Sequence, residues 1–197
     1  MDKRFELEKL KNEIEADKSL PTYGAANLVF GEGNPEAEVM FIGEAPGFHE
    51  NKLGRPFVGR AGQLLNKLLA DIGWPRESVY ITNIIKRRPP KNRDPLPKEI
   101  KAYEPYLKKQ IKIINPKIIA PLGRFAMNYF LPSAKISQNH GLPSEVLTEE
   151  GQRLIICPLY HPAAALRSTA VLNCLEHDFR KLPKLLKANI NAKIKGK

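Results

Sequence analysis

Four short apolar runs alternate along this chain with longer segments in which apolar residues recur at helical spacing. The runs, which we predict to be strands, span residues 39–42, 79–82, 117–120 and 154–157. The helical segments span residues 3–16, 62–71, 97–114 and 170–186, and a further helix follows Gly123. Strands that alternate with helices favour a parallel sheet covered by helices on both faces. The predicted fold class is therefore α/β.

The first predicted strand runs into a long, turn-rich loop at residues 43–62, with the sequence GEAPGFHENKLGRPFVGRAG. Its five glycines and two prolines allow the backbone to approach a ligand closely and to hold unusual dihedral angles. The loop also carries Glu44, His49, Glu50 and Phe57. Loops of this length inside a compact domain are usually functional, although composition alone fits an ordinary connector equally well. We expect His49 to be an exposed loop residue.

The chain is strongly basic, with 32 Lys and Arg residues against 21 Asp and Glu residues and a formal net charge of +11. A folded domain this basic usually meets a polyanion, and nucleic acid is the first candidate. A solubility charge and affinity for acidic lipid are the alternatives. Basic residues cluster in Lys86-Arg87-Arg88, and we expect this run to contact phosphates.

Length and composition predict one domain over residues 1–197, with an N-terminal helix and wrapping segment at 1–30 and a basic tail at 189–197. Apolar runs are too short to cross a membrane and the first residues do not resemble a secretory signal, so we expect a cytoplasmic protein with no membrane partner. Cys157 and Cys174 are too few for a disulfide framework. We expect residues 132–153 to be irregular and Pro183 to disturb the last helix.

The four predicted strands end next to polar or glycine-containing segments. These are Gly43-Glu44, Asn83, Leu122-Gly123 and Tyr160-His161. The carboxyl ends of parallel strands lie along one edge of a sheet, where ligands bind in open α/β folds. Taken singly, the residues are equally typical of a turn cap or a core side chain. Together with the ring of Phe57, in a basic protein, they suggest recognition of a planar base that is stacked and hydrogen-bonded along its edge.

A series of motifs resembles one known family. GEAPG, GRPFVGRAG, ITN, KRRPPKNRDP, PLGRFA and YHPAAALR follow one another in the order and spacing of the family 4 uracil-DNA glycosylases, over about residues 29–186. The resemblance implies a three-layer αβα fold with a central four-stranded parallel sheet. It assigns Phe57 as the ring that stacks on uracil, Asn83 as the amide that binds the uracil edge, and His161 as the hydrogen-bond donor to the uracil O2.

The same resemblance implies further contacts in the GEAPG segment. Gly43 and Ala45 are expected to contact the uracil. Ala45 stands where well-known relatives in the superfamily have a carboxylate or amide, and its methyl group cannot polarise water. We expect Glu50 to activate the water instead, with Glu44 or its backbone as the second choice. In an alternative role, Glu50 crowds the uracil C5 position and excludes thymine.

Residues 162–168 resemble the minor-groove loop of the family. Leu166 is expected to fill the space left by the flipped nucleotide and Arg167 to contact a phosphate. Packing at a helix start is the other explanation of Leu166. The remaining expected DNA contacts are Ser168, Arg60 and Arg88.

The chain departs from the family at the cofactor. Family 4 members usually hold a [4Fe–4S] cluster with four cysteines, and the corresponding positions here are Ala16, Ser19, Arg87 and Tyr103. None of these side chains ligates iron as a thiolate does, and the two cysteines match no ligand position. We therefore expect no cluster, metal or other cofactor. Tyr103 and Tyr23 would fill the space, and Arg87 would either form a salt bridge or face DNA.

The resemblance predicts a monomeric DNA repair enzyme that flips uracil out of single- or double-stranded DNA and hydrolyses its N-glycosidic bond, leaving an abasic site. The alternatives are a protein that binds uracil-containing DNA without cleaving it and one that bonds covalently to it. Covalently binding relatives carry GEQPG and an extra basic loop with a histidine, whereas this chain has Ala45 and continues from Arg88 directly to Pro89. Retention of Phe57, Asn83 and His161 together argues against loss of catalysis.

Overall fold

The predicted strands form the centre of one six-stranded sheet. The computed structural model describes residues 2–147 and 153–195. Its strands are β1 (Glu32–Gly33), β2 (Val39–Gly43), β3 (Tyr80–Asn83), β4 (Ile118–Pro121), β5 (Ser144–Leu147) and β6 (Arg153–Ile156). Their order is β1-β3-β2-β4-β6-β5, in which β3, β2, β4 and β6 are parallel and the two edge strands antiparallel. The predicted parallel centre is confirmed, and two short edge strands extend it.

Helices connect and cover these strands. They are α1 (Lys3–Ala16), α2 (Phe48–Leu53), α3 (Arg60–Asp71), α4 (Pro97–Ile114), α5 (Arg124–Phe130), α6 (Ile136–Asn139), α7 (Pro162–Ala165) and α8 (Thr169–Lys195). Short 3₁₀ turns occur at Arg76–Ser78 and Pro90–Asn92. Among the helices of residues 2–147 and 153–195, none combines the length and the apolar character needed to cross a membrane.

The side chains of β2 show how the sheet is covered on both faces. Met40 and Ile42 pack in one apolar cluster with α1, α4 and α5, whereas Val39 and Phe41 pack in a second cluster with α3, α7 and α8. Every residue of β2 is buried, as expected for a central strand of a parallel sheet. The arrangement is the three-layer αβα fold that the sequence predicted.

Helix ends follow from local sequence. The Asp2 side chain accepts hydrogen bonds from the Arg4 and Phe5 amides and so caps α1. Pro97 opens α4, where it needs no hydrogen-bond donor, and the Glu99 carboxylate accepts from the Leu96 amide at 2.8 Å. These signals explain why the predicted bounds of both helices match the structure.

The last helix is longer than predicted. Pro183 lies inside α8, which continues to Lys195 and therefore takes in most of the segment predicted as a basic tail. Pro183 was expected to disturb this helix because proline removes one helical hydrogen bond. The helix continues because Leu182 is buried and Leu185 and Leu186 pack against the same apolar cluster.

Besides β1, two segments contain elements that the sequence analysis missed. The long loop includes α2, which lies between Gly47 and a left-handed Gly54. The segment predicted to be irregular includes α6 and β5, and β5 pairs with β6 through contacts such as Val146 with Leu154. A four-residue edge strand has a weak pattern of its own, and its partner decides its conformation. Residues 148–152 of that segment lie outside the described residues.

Tyr103 of α4 holds the N-terminal segment against the body. Its side chain is 1% exposed, and its hydroxyl donates a hydrogen bond to the Pro21 carbonyl at 3.0 Å. The neighbouring Tyr106 hydroxyl donates to the Asp17 carboxylate at 2.5 Å. Both tyrosines therefore fasten the turn after α1 to α4.

Arg87 takes part in the same contact from the other side. Its side chain is 3% exposed, and its guanidinium donates to the Ala26 carbonyl at 2.8 Å. The guanidinium also lies 3.6 Å from the Glu15 carboxylate and 5.3 Å from the centre of the Tyr23 ring. Of the two expectations for Arg87, a salt bridge and a DNA contact, the structure shows the salt bridge.

This packing predicts a graded loss of stability at Tyr103. Tyr103→Ala leaves a cavity and should lower the free energy of unfolding by about 3–5 kcal/mol. Tyr103→Phe keeps the ring, removes the hydroxyl with its hydrogen bond to Pro21, and should cost about 1 kcal/mol. Urea titration followed by circular dichroism measures both, with Phe5→Ala as the control because Phe5 is 66% exposed. A Tyr103→Ala variant as stable as the control would show that this anchor contributes nothing.

Candidate active site and nucleic-acid interface

A cleft of about 660 Å³ opens at the carboxyl ends of the parallel strands. The predicted site residues in its wall are Glu44, Ala45, Glu50, Phe57, Asn83, His161 and Arg167. They come from the segments that follow β2 and β6, from the last residue of β3 and from the junction of α7 with α8. The structure thus brings these side chains together, as the predicted strand ends indicated.

Gly43, the last residue of β2, is where the amide and the aromatic ring meet. A Cβ atom at this position would lie 2.4 Å from Asn83 Oδ1 and 2.6 Å from Phe57 Cζ. Both distances are too short for non-bonded atoms, so any side chain here would displace one of the two groups. The glycine allows the Asn83 amide and the Phe57 ring to lie side by side against the strand end.

Phe57 has a strained backbone and a buried ring. Its φ of +50° lies in the left-handed region, which costs a residue with a side chain about 1–3 kcal/mol. The side chain is 6% exposed, and its ring centre lies 5.6 Å from the ring centre of His161. Strain of this kind persists only where the surroundings fix the backbone.

Glu50 of α2 supplies part of that constraint. Its Oε1 accepts hydrogen bonds from the backbone amides of Val58 and Gly59, each at 3.0 Å. Gly62 supplies another part, because a Cβ atom there would lie 1.8 Å from the Phe57 carbonyl oxygen, so that only glycine lets α3 pack this closely. Sequence analysis missed this anchoring role of Glu50, since its hydrogen-bond partners show only in the folded loop.

Asn83 is buried without a partner for its amide. The residue is 2% exposed, and its backbone carbonyl accepts a hydrogen bond from Lys86. Within residues 2–147 and 153–195, no hydrogen bond reaches its side-chain oxygen or nitrogen. Buried amides are normally hydrogen-bonded, and an unsatisfied one at the wall of a cleft is therefore suited to a ligand.

His161 is set up as a neutral hydrogen-bond donor. It precedes α7, and its Nδ1 accepts a hydrogen bond from the Ala163 amide at 3.1 Å. An Nδ1 that accepts leaves the proton of the neutral ring on Nε2. Burial lowers the pKa of His161 to about 4, against the opposing charge of Glu50. The ring is thus neutral at pH 7, with an Nε2–H available to donate.

Sequence comparison identifies the family to which this site belongs. Residues 30–183 match the sequence profile of the uracil DNA glycosylase superfamily. The chain belongs to that superfamily. It is 45% identical to the type-4 uracil-DNA glycosylase of Sulfurisphaera tokodaii over 91% of this chain and 84% of the relative. It is 47% identical to the type-4 uracil-DNA glycosylase of Saccharolobus solfataricus, over 81% of this chain and 76% of the relative. It is 44% identical to the type-4 uracil-DNA glycosylase of Archaeoglobus fulgidus, over 81% of this chain and 82% of the relative.

Glu44, in the GEAPG motif of this superfamily member, is a second carboxylate in the cleft. Burial raises the pKa of Glu44 to about 7, with a smaller contribution from the charge of Asp94 and an opposing one from Arg124. Its backbone carbonyl accepts from the Ile85 amide at 3.3 Å. The cleft therefore contains two carboxyl groups of different character. Glu44 titrates near neutral pH, whereas Glu50 is hydrogen-bonded to the loop backbone.

The predicted DNA contacts lie in different settings. Arg167 is exposed in the cleft wall, and the neighbouring Leu166 is 42% exposed at the end of α7. Ser168 has a local role, because its hydroxyl accepts from the Val171 amide at 3.4 Å in the first turn of α8. Arg60 is exposed at the start of α3.

The run Lys86-Arg87-Arg88 is not the surface cluster that we predicted. Lys86 is 0% and Arg87 3% exposed, so the expectation that they contact phosphates is wrong. Only Arg88 approaches the cleft rim, where its Nε donates to Asn92 Oδ1 at 2.6 Å and its guanidinium lies 5.3 Å from the centre of the Phe48 ring. The two buried cations bind acceptors on distant segments, which composition cannot show.

Several cleft residues escaped the sequence analysis. Arg93 and Arg124 also line the wall, beside Tyr160, which was predicted to lie at a strand end. Arg93 pairs with the Glu99 carboxylate at 2.7 Å, and Arg124 with Asp94 at 2.7 Å. Both arginines belong to motifs that carried the family resemblance, NRDP and PLGRFA, but the motifs alone did not show that their side chains reach the cleft.

The positions that hold a cluster in family 4 do not fit one in this chain. Ala16 and Ser19 are exposed and carry no thiol, while Arg87 and Tyr103 are buried in the contacts described above. In the part of the chain that the structure describes, no group of three or more His, Cys, Asp or Glu side chains is placed to hold a metal ion. The donor set thus offers no thiolate for iron.

Proposed function

We propose that the protein is a monofunctional uracil-DNA glycosylase that flips uracil out of DNA and hydrolyses its N-glycosidic bond, leaving an abasic site. The observation that carries this proposal is that the Asn83 amide, which has no hydrogen-bond partner among the described residues, lines the same cleft as the Phe57 ring and a neutral His161. Membership of the superfamily and similarity to proteins named type-4 uracil-DNA glycosylases support it.

In the proposed complex the uracil stacks on Phe57, over the floor formed by Gly43 and Ala45. The Asn83 NH₂ donates to the uracil O4, and its oxygen accepts from N3–H. Cytosine presents an amino donor and an unprotonated N3 acceptor at these positions. The Asn83 NH₂ would then face the cytosine amino group, and the Asn83 oxygen would face N3, so neither pair could form a hydrogen bond. Mispaired buried polar groups cost about 1–3 kcal/mol each, which makes the pocket selective for uracil.

The proposed reaction breaks the bond between the sugar C1′ and the uracil N1. Both bonding electrons stay on the base, whose negative charge spreads to O2 and O4. His161 donates its Nε2–H to O2 and stabilises this charge as an oxyanion hole does. The oxygen of a water molecule bonds to C1′, and its proton passes to Glu50 or, as second choice, to Glu44. The uracil anion takes up a proton when it leaves.

On the DNA, Leu166 fills the gap left by the flipped nucleotide, and Arg167, Arg60 and Arg88 contact phosphates, with Ser168 supporting the start of α8. Unstacking a base costs a few kcal/mol, which these contacts must offset. We further propose a monomer with one domain, which acts in the cytoplasm on single- or double-stranded DNA.

The first test is incubation with an oligonucleotide that contains one uracil, followed by alkali. A glycosylase leaves an abasic site, so the strand should break at the uracil position, and borohydride should trap no protein–DNA adduct. The control is the same oligonucleotide with thymine. A denaturant-resistant adduct would show covalent capture instead, and binding without cleavage would show a recognition protein.

Asn83→Asp tests the recognition chemistry. The substitution removes the donor to O4, so single-turnover uracil release should fall sharply. The new carboxylate accepts from the cytosine amino group, so weak cytosine release should appear. Rate constants for both bases, measured on matched oligonucleotides with the wild type and the variant, test this expectation. Full retention of uracil release would mean that Asn83 does not contact the base edge.

Glu50→Gln and Glu44→Gln separate the two candidate bases. In Glu50→Gln the side-chain amide oxygen still accepts from the Val58 and Gly59 amides, so the loop stays in place while the charge is lost. With Glu50 as the base, Glu50→Gln should lower the single-turnover rate constant by about 100-fold, the lower end for general-base catalysis, because a cationic sugar needs little help. Glu44→Gln should have a much smaller effect.

The pH profile gives an independent check on the same question. Glu44 has a pKa raised to about 7, so it is mostly protonated below pH 7 and becomes a base above it. A wild-type rate that rises with pH through about 7, with the rise abolished in Glu44→Gln, would assign the role to Glu44. With Glu50 as the base, Glu44→Gln should leave the profile between pH 6 and 8 unchanged.

A further inference from the structure

Lys86 is a fully buried lysine that donates a hydrogen bond to the backbone of Asn83, a residue of the proposed uracil site. Its side chain is 0% exposed. Its Nζ lies 2.6 Å from Thr82 Oγ1, 2.9 Å from the Asn83 carbonyl oxygen and 2.6 Å from Gln110 Oε1. Lys86 forms no ion pair with any carboxylate in residues 2–147 and 153–195.

All three neighbours of the Lys86 nitrogen act as acceptors. Thr82 Oγ1 donates its own proton to the Phe30 carbonyl at 2.8 Å. The Gln110 NH₂ donates to the same carbonyl at 3.1 Å and to the Tyr80 hydroxyl at 3.0 Å, which turns Oε1 toward the lysine. A neutral amine has two protons and a lone pair, so its lone pair would face an acceptor. An ammonium has three protons and satisfies all of them.

Two opposing effects determine whether the Lys86 side chain is an ammonium or a neutral amine. Burial lowers the pKa of Lys86 well below its ordinary value, because the ammonium loses its hydration. The three hydrogen bonds favour the charged form and oppose that shift. Among the described residues, no carboxylate lies close enough to form an ion pair, so the positive charge is not cancelled locally.

The ammonium is connected to the site through the backbone of Asn83. The carbonyl that accepts from Lys86 belongs to the peptide whose N–H, on Ile84, donates to the Gly43 carbonyl at 2.9 Å. Hydrogen bonds in such a chain polarise one another. Gly43 packs closely against the Asn83 side chain, which lines the cleft.

We propose that the Lys86 ammonium stabilises the uracil anion as the glycosidic bond breaks, acting through the Asn83 backbone and through its charge. This role rests on the function proposed above. Lys86 does not touch the base, so it is a positioning residue rather than a catalytic one. A positive charge buried in the protein interior beside the site favours the developing anion over the neutral substrate, and so lowers the barrier.

The experiment compares two leaving groups in the Lys86→Met variant. Single-turnover release of uracil and of 5-fluorouracil is measured from oligonucleotides that are otherwise identical. Fluorine withdraws electrons, so the 5-fluorouracil anion needs less stabilisation. We expect Lys86→Met to lower the rate constant for uracil about tenfold or more and that for 5-fluorouracil about threefold or less. Lys101→Met, which removes an exposed lysine charge from α4, should change neither.

A loss by the same factor for both bases would overturn the proposal, because a charge that stabilises the leaving anion matters more for the poorer leaving group. The rate constant of the active fraction does not depend on how much of the variant is folded. A second measurement needs no variant, since nitrogen NMR of the wild type distinguishes an ammonium from an amine at Lys86 at pH 7. An amine would overturn the proposal. A wild type that releases neither base would instead overturn the proposed function.

Discussion

β2 hydrogen-bonds to a parallel strand on each side, β3 and β4, and the register of these strands decides where the polar residues of the site lie. Gly43 stands opposite Asn83 in the pairing of β2 with β3. On the other side, a bridge between Leu122 and Leu159 continues the parallel pairing of β4 with β6 up to the residues just before His161. A shift of the β2–β3 register by one residue would turn the Asn83 side chain to the opposite face of the sheet, away from Phe57.

In the proposed reaction, Glu50 couples base recognition to water activation. Its carboxylate holds the amides that follow Phe57, and its charge acts on the pKa of His161. A substitution that removes the carboxyl group would therefore release the strained loop as well as any base. This is why a change to alanine cannot distinguish a chemical role from a structural one, whereas a change to glutamine keeps the acceptor.

The parts of the site that could be predicted are those fixed by strand ends and local motifs. The positions of Asn83 and His161 followed from apolar runs and chain order, because parallel strands bring their carboxyl ends together. The burial of Lys86 could not be predicted, since its acceptors include Gln110, which is 24 residues away in sequence. A run of three basic residues looks like a surface patch until tertiary contacts supply its partners. β5 could not be predicted for the same reason, because its partner strand decides its conformation.

The buried cations also connect the N-terminal segment to the active site. Arg87 binds the Ala26 carbonyl and pairs with Glu15, while the Lys86 carbonyl accepts from the Val29 amide at 2.8 Å. Thr82, which is hydrogen-bonded to Lys86 Nζ, donates to the Phe30 carbonyl. The turn that carries Asn83 is thus hydrogen-bonded to residues 26–30 on one side and to β2 on the other. The contacts of Tyr103 and Arg87 therefore help to hold the segment that carries Lys86 and Asn83 in register with β2.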